Sequence, residues 1–230
     1  MKRPMIQLMD DDTLRIQMVE AAGDYALVAF TGIGHSLGGL AVQRPEFLSL
    51  CSLGKVLWVT DKKRTRGNGL DIDRMLATIA EAAEGKTVFA IGNSMGGFLA
   101  ILMSRLIGAR RVLAFSPQWS ISPDIVPEET RWAEYTRDIA HIRYTDLSGA
   151  FATDCHYAVI CGDHPKEKLH TRFFEAHRSE RVEIHELQDE THNVALSLKE
   201  RGILGRMLID YFNAALPLDE FFDSHGVRRT

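Results

Sequence analysis

One serine in this chain lies between two glycines in a setting that is typical of a nucleophile. Gly92, Ser94 and Gly96 fit the pattern G-x-S-x-G, in which a serine sits on a tight turn between a strand and a helix with its hydroxyl at the end of the sheet. The β-branched and aromatic run 87–91 predicts the strand, and the apolar periodicity from Met95 onward predicts the helix. Glycine is needed on both sides, because a side chain there would collide with the neighbouring strand or the incoming helix. We therefore predict that Ser94 is a nucleophile.

A serine hydroxyl needs a base to take its proton and a carboxylate to orient that base. Asp163 directly follows the buried strand pattern 156–161, and His192 lies in the turn after the last predicted strand, 182–187. The order serine, acid, histidine and the G-x-S-x-G turn resemble the α/β-hydrolase family. This resemblance implies that Asp163 is the catalytic acid and that His192 is the general base.

Other residues compete for both roles. Asp163 can also be a turn aspartate that hydrogen-bonds its own backbone beside glycine and proline. Asp189, in the same turn as His192, and Asp124, after the preceding strand, are the alternative acids. Among the nine histidines, the nearest rivals of His192 are His35, His164, His177 and His185. Only His192 holds the turn position after the final strand, so we favour it.

The resemblance also predicts where the developing oxyanion binds. One donor is the backbone N–H of Met95, the residue after the nucleophile, at a helix N-terminus where the dipole favours negative charge. The loop Thr31-Gly32-Ile33-Gly34 is similar to the H-G-x-G loop of the family, which places the second N–H on Ile33 with Gly32 as its neighbour. Thr31 departs from the histidine of that motif. The glycines also fit a simple tight turn.

Two groups of residues are candidates for substrate binding. The loop 62–66 is rich in cations, and Arg64 and Arg66 are predicted to hold a carboxylate, a phosphate or an acidic sugar, although such a loop is more often simply solvated. Trp119 and Trp132 lie in the aromatic segment 117–154, which we predict to be a lid insertion. These tryptophans either line an acyl or sugar pocket or pack the lid itself.

The alternation of strands and helices predicts an α/β-hydrolase fold, with a mostly parallel, doubly wound sheet and helices on both faces. The 230 residues fit a single domain, 1–230, with the lid insertion at 117–154. A hairpin is expected over 6–21, a lid helix over 128–139, a helix over 166–177 and one terminal helix ending near 213. The tail 216–230 is expected to be partly mobile. Ligands of such sheets bind at the carboxyl ends of the strands. The turns predicted to lie there are those of Gly32-Ile33, Asp61, Ser94, Ser116, Asp163 and His192.

Composition restricts the function classes. A net charge of −4 argues against a nucleic-acid partner. The N-terminus has no apolar segment of a secretory signal, and no stretch is long and apolar enough to cross a bilayer. Three cysteines without C-x-x-C spacing indicate reduced thiols, so we expect a cytoplasmic protein. No metal-site motif is present, and the predicted triad requires no cofactor.

The favoured function is a serine hydrolase that cleaves a small-molecule carboxylic ester or thioester through an acyl-enzyme on Ser94. The first alternative uses the same triad to transfer the acyl group to a sugar or another alcohol. Faint similarity of the stretch 94–118 to hydrolase-like proteins of bacterial surface glycans is the reason for considering it. The second alternative is a non-catalytic ligand-binding member of the fold. The sequence leaves the oligomeric state open.

Overall fold

A mixed sheet of eight strands forms the centre of the molecule in the order β1-β2-β6-β3-β7-β8-β9-β10. The computed structural model describes residues 3–37, 40–137, 139 and 141–230, and of residues 35–37, 40 and 41 it describes the backbone only. From β6 across to β10 the strands are parallel, as the alternation of strands and helices predicts. The strands of the sheet are β1 Met5–Asp10, β2 Leu14–Val19, β3 Tyr25–Phe30, β6 Lys55–Asp61, β7 Thr87–Asn93, β8 Arg111–Phe115, β9 His156–Gly162 and β10 Val182–Leu187.

The predicted hairpin over 6–21 is confirmed. Strands β1 and β2 pair antiparallel, and β2 pairs antiparallel with β6. The Oδ1 atom of Asp11 accepts hydrogen bonds from the backbone N–H groups of Thr13 at 2.8 Å and Leu14 at 2.9 Å, which closes the turn between them. A second hairpin, β4 His35–Leu37 with β5 Leu40–Val42, follows the predicted oxyanion loop and was not expected from the sequence.

Helices cover both faces of the sheet, and two apolar cores fill the space between. The core on one face packs under the first, second and fourth helices, and the core on the other face packs under a 3-10 helix and the last three helices. No helix among the described residues is long and apolar enough to span a membrane. The helices are the 3-10 helix Leu48–Ser52, α1 Ile72–Ala82, α2 Met95–Met103, α3 Ala133–Thr136, α4 Pro165–Glu175, α5 Val194–Glu200, α6 Leu204–Phe212 and α7 Leu218–Ser224.

Three expectations about the helices and the tail were wrong. The lid helix predicted over 128–139 is only the short α3, since Trp132 before it adopts a left-handed conformation with φ 59°. The single terminal helix is divided into α5 and α6 at Gly202, where φ is +77°. The tail forms α7, whose Phe221 and Phe222 are buried in the core. Backbone hydrogen bonds then attach residues 228 and 230 to the end of β10.

Candidate active site

Ser94 occupies a strained turn at the carboxyl end of β7. Its φ of 56° and ψ of −119° lie outside the regions that residues with side chains normally adopt, and its N–H donates to the Phe115 carbonyl at 2.8 Å. A Cβ atom on Gly92 would lie 2.1 Å from the Gly96 backbone, and one on Gly96 would lie 2.1 Å from the Phe30 carbonyl oxygen. These glycines therefore allow the helix to begin directly against the sheet, as the motif predicts.

The structure pairs His192 with Glu167 rather than with Asp163. His192 Nδ1 lies 3.1 Å from both carboxylate oxygens of Glu167, which is 3% exposed. Asp163 is only half-buried, and its side chain has no hydrogen-bond partner among the described residues. The prediction that Asp163 orients His192 does not agree with this geometry. The alternative acids also fail, because Asp124 and Asp189 are exposed, and Asp189 pairs with Arg228.

The position of Glu167 explains why the sequence pattern pointed to Asp163. Both acids follow β9, but Glu167 comes four residues later, in the first turn of α4. A glutamate there is usually a helix-capping residue. The signal that could have identified Glu167 is its position on the helix face. The buried positions of α4 are 167, 170, 171 and 174, so Glu167 lies on the same buried face as Phe174. A charged residue on the buried face of a helix indicates a paired or functional group.

The serine hydroxyl and the outer nitrogen of the histidine are both buried and unpaired. Within the described part of the chain, neither Ser94 Oγ nor His192 Nε2 has a hydrogen-bond partner. Because Nδ1 faces a carboxylate, it carries the proton, and Nε2 is left with the lone pair that a general base requires. Ser94 is 5% exposed, so its hydroxyl is shielded from solvent in this conformation, whereas the His192 side chain is 20% exposed.

The insertion 117–154 reaches the acid of this pair through Arg131. Its Nη1 donates to Glu167 at 2.5 Å, and its Nε and Nη2 bind Glu129 at 3.0 and 2.5 Å. Glu129 also accepts a hydrogen bond from His170 Nε2 at 2.8 Å. The Trp119 backbone N–H donates to Nδ1 of His170, so this histidine is neutral and carries its proton on Nε2. None of these contacts was expected from the sequence.

Both buried glutamates are held in their charged form. Burial by itself raises the pKa of Glu167, but the hydrogen bond from His192, the charge of the imidazole once it is protonated and the nearby Arg131 guanidinium lower it below its ordinary value. For Glu129 the same burial effect is outweighed by hydrogen bonds from His170 and Arg131 and by the Arg131 charge, so its pKa is also lowered. A carboxylate that stays ionised can stabilise the positive charge that His192 acquires when it takes a proton.

The two candidate tryptophans occupy different surroundings. The Trp119 ring is 4% exposed and packs against Phe151 of the insertion and Phe173 and Phe174 of α4, so its surface is used where the insertion meets that helix. The centroid of the Trp132 ring lies 5.0 Å from that of the His192 ring. The Arg131 guanidinium lies over the face of the Trp132 ring, 4.9 Å from the ring centroid. Trp132 is therefore the tryptophan that contacts the site.

The predicted oxyanion donors lie beside the elbow, since a Cβ on Gly32 would lie 3.0 Å from the carbonyl oxygen of Asn93. Met95 is the first residue of α2, where a backbone N–H has no acceptor within the helix. Arg64 Nε donates to the Ile33 carbonyl at 2.8 Å and fixes the neighbouring loop. The backbone of Gly32 lies beside the Glu46 carboxylate and lowers its pKa, against the effect of burial, which raises it. Met95, Ile33 and Gly32 all remain candidate donors.

The basic loop after β6 is mostly occupied by structural contacts. Lys62 pairs with Asp10 at 2.9 Å, and Arg64 binds the carbonyl oxygens of Ile33 and Lys62 and lies over the Tyr135 ring. Arg66 differs from both, because its side chain is fully buried and donates through Nη2 to Gln118 Oε1 at 2.7 Å. Desolvation lowers the pKa of Arg66 to about 10, although the charges of Asp61 and Glu129 oppose that shift.

A cavity of about 560 Å³ opens beside the elbow on the other face of the sheet. Asn93 and Asn193, the chain neighbours of Ser94 and His192, belong to its wall. Most of the remaining lining is apolar and comes from the 3-10 helix region and from α5 and α6, with Pro45, Phe47, Leu48, Ala195, Leu196 and Leu204. Glu46 also lines it, and burial raises the pKa of this carboxyl to about 7 against a hydrogen bond from Gly32 that lowers it.

Comparison with known proteins gives structural neighbours only. No family model matches the chain, and no curated protein matches it. The capsule O-acetyltransferase of Neisseria meningitidis serogroup A superimposes with a TM-score of 0.59 at 10% identity, over 86% of this chain and 93% of that one. XC6422 from Xanthomonas campestris, a serine hydrolase without a lid, superimposes with a TM-score of 0.55 at 12% identity, over 89% of this chain and 93% of that one. Est1E from Butyrivibrio proteoclasticus superimposes with a TM-score of 0.56 at 14% identity, over 90% of this chain and 98% of that one. With its sheet order and its serine elbow, the chain therefore has the α/β-hydrolase fold.

Proposed function

We propose that this chain is a serine hydrolase that cleaves a carboxylic ester or thioester through an acyl-enzyme on Ser94. The observation that carries the proposal is the pairing of His192 Nδ1 with the buried Glu167, which leaves Nε2 free to act as a base, while the Ser94 hydroxyl at the carboxyl end of β7 is also buried and unpaired. Glu167 replaces Asp163 as the acid of the proposed triad. A cytoplasmic location is part of the proposal and is supported by three free thiols, which a reducing compartment preserves.

In the first step Ser94 Oγ attacks the carbonyl carbon while His192 Nε2 takes the hydroxyl proton. The tetrahedral intermediate places its negative oxygen toward the N–H groups of Met95 and Ile33. His192 then gives the proton to the leaving alcohol or thiol, and the carbonyl re-forms as an ester on Ser94. Glu167 orients the imidazole and stabilises its positive charge during both transfers.

In the second step a hydroxyl compound attacks the acyl-enzyme. Water gives a carboxylic acid, and an alcohol gives a new ester; in either case the proton passes through His192 back to Ser94 Oγ. The low exposure of Ser94, at 5%, limits the access of water to an acyl-enzyme and supports acyl transfer as the second candidate function. The structural neighbour described as a capsule O-acetyltransferase is consistent with that candidate.

Labelling with a fluorophosphonate probe tests the proposal directly. The wild-type protein is expected to be labelled, and Ser94→Ala is expected to lose the label and at least about 1,000-fold of its ester hydrolysis. Labelling that persists unchanged in Ser94→Ala contradicts the proposal. No turnover across short-chain, long-chain, thioester and acetyl-sugar substrates, together with no labelling, indicates a ligand-binding member of the fold instead.

Product analysis separates hydrolysis from transfer. A labelled acyl ester is incubated with the wild-type protein in water and then with added alcohols and sugars. Free acid as the only product supports the hydrolase, and acylated alcohol formed in preference to acid supports the transferase. Ser94→Ala serves as the blank in both arms, because any product that it forms is not enzymatic.

A further inference from the structure

The acid of the proposed triad has a second partner besides His192. Arg131, in the insertion 117–154, donates through Nη1 to Glu167 Oε1 at 2.5 Å, and the same oxygen lies 3.1 Å from His192 Nδ1. Nη1 and Nδ1 are 3.5 Å apart. Both atoms are donors, because Nδ1 carries its proton toward the carboxylate, so they share an acceptor rather than bind each other. Two donors from different parts of the chain therefore orient the Glu167 carboxylate.

The guanidinium of Arg131 is itself held from several directions. Its Nε and Nη2 bind the Glu129 carboxylate at 3.0 and 2.5 Å, and Nη2 also donates to the Lys166 carbonyl oxygen at 3.1 Å. The Glu129 side chain is 2% exposed and is fixed in turn by His170. Because a guanidinium presents its donors in a rigid planar fork, contacts on more than one edge restrict its rotation. Arg131 thus binds two consecutive residues in the first turn of α4, the backbone of Lys166 and the side chain of Glu167.

The next residue of the insertion contacts the other member of the pair. Trp132 lies beside the His192 ring, with 5.0 Å between the ring centroids, and the Arg131 guanidinium lies over the Trp132 ring. Trp132 has a φ of 59°, a conformation that costs free energy in a residue with a large side chain and persists only where surrounding contacts hold it. Arg131 and Trp132 therefore lie against the acid and the base, respectively.

The charges at this contact balance when His192 is protonated. Glu129 and Glu167 bring two negative charges and Arg131 brings one positive charge, so one negative charge is in excess while the imidazole is neutral. The proton that His192 takes in the reaction offsets that excess. Without Arg131 the two buried carboxylates would repel each other, and Glu167 would be pushed from its place. The acids on the turn of His192 have partners of their own, Asp189 with Arg228 and Glu190 with Ser197.

From these contacts we infer that Arg131 is a positioning residue of the proposed reaction, since its guanidinium, anchored on Glu129, holds the Glu167 carboxylate against His192 Nδ1. Arg131 touches no reacting atom and acts through the acid. As a statement about catalysis, the inference rests on the proposed reaction at Ser94. The hydrogen bond that Arg131 holds in place forms without substrate, however, and can be observed without turnover. The insertion thereby contributes to the reactivity of His192 as well as covering the site.

Proton NMR of the protein without substrate tests the contact itself. The Nδ1 proton of His192, held against a buried carboxylate, is expected to give a resonance downfield of the amide protons that is absent from His192→Asn. In Arg131→Met this resonance should move upfield or disappear, because Glu167 loses the donor that fixes it. Arg172→Met, which removes a half-exposed arginine of α4, is the matched control and should leave the resonance unchanged.

The rate of fluorophosphonate labelling gives the functional readout on the same proteins. At a temperature well below its thermal transition, Arg131→Met should be labelled at least about 10-fold more slowly than the wild-type protein, because a misplaced acid orients the base poorly. Arg131→Lys keeps a cation that can reach one carboxylate but cannot bind both, so its rate should be intermediate. Arg172→Met should be labelled at the wild-type rate.

Arg131→Lys decides the matter if Arg131→Met does not fold. The inference is overturned if Arg131→Lys shows the wild-type resonance and the wild-type labelling rate. It is also overturned if Arg131→Met loses stability while both readouts stay unchanged, because the role of Arg131 would then be structural only. A downfield resonance that responds to Arg131, together with no labelling of any protein, would contradict the proposed reaction and still support the positioning contact.

Discussion

On one side of Ser94 an open, mostly apolar cavity lies between the 3-10 helix and α5 and α6. On the other side, under the insertion 117–154, the Arg66 to Gln118 hydrogen bond and the Glu167 to Arg131 contacts form a closely packed polar cluster in which Arg66 and Gln118 are fully buried. The apolar side has room for part of a substrate, whereas the packed polar side holds the carboxylate that pairs with His192. We interpret the cavity as the place for an apolar acyl chain and the polar cluster as the support of the proposed acid.

The largest effect is expected on ester hydrolysis, from the substitution of Glu167, the proposed acid. Glu167→Gln should lower kcat/KM for a simple ester by roughly 1,000-fold, because a neutral amide cannot stabilise the charged imidazole. Asp163→Asn is the matched control on the same connection and should stay within about 2-fold. Steady-state hydrolysis by the two variants decides between the two acids. Equal activity of Glu167→Gln and wild type would contradict the assignment of Glu167.

The second-largest effect is expected on stability, from the loss of Arg131, which joins the insertion to Glu167. Arg131→Met leaves Glu129 and Glu167 without their common partner, so we expect a loss of about 3 kcal/mol in the free energy of unfolding. Arg172→Met removes an arginine of α4 that is half exposed and pairs loosely with Glu128 at 3.8 Å, and should cost at most about 0.5 kcal/mol. Urea unfolding at pH 7 measures both. A loss in Arg131→Met no larger than in Arg172→Met would show that the buried contacts do not hold the insertion.

A pH dependence is expected on the apolar side. The pKa of Glu46 is raised from 4.5 to about 7, so its stabilising contribution is complete below pH 4.5 and is lost as the pH rises through 7. Between pH 5 and pH 8 the wild-type protein should therefore lose about 2 kcal/mol relative to Glu46→Gln, which cannot ionise. Urea unfolding of both proteins at the two pH values tests this. Parallel changes in the two proteins would mean that Glu46 is not buried as described.

The smallest effect should fall on substrate choice. Gly205 lines the apolar cavity, and a Cβ there would meet only Ser49, at 3.9 Å. Gly205→Leu should fill part of the cavity and raise KM for an octanoyl ester about 10-fold, with little change for an acetyl ester. Gly205→Ala is the control, with a smaller change for both esters. Equal changes for the two esters in Gly205→Leu would indicate that the acyl chain does not use this cavity.

The sequence predicted the sheet and the elbow well because both depend on local patterns. Buried strands are continuous apolar runs, and the positions of Gly92 and Gly96 are dictated by backbone atoms close to them. The pairing of His192 with Glu167 was missed because Glu167 and Asp163 are equally compatible with the chain order, and only packing shows which one faces His192. Arg131 and Glu129 were missed for a similar reason: they lie in an insertion with little regular structure, where no periodicity relates a residue to its partner.

Residues 228–230 cover the free edge of the central sheet and so protect it from pairing with another chain. Strand β10 is the last strand of the sheet, and residues 228–230 pair with it through the Gln188 N–H to the Arg228 carbonyl and the Thr230 N–H to the Glu186 carbonyl. An uncovered edge strand offers free N–H and C=O groups to any other strand in solution. Removal of these three residues would expose such an edge and favour self-association.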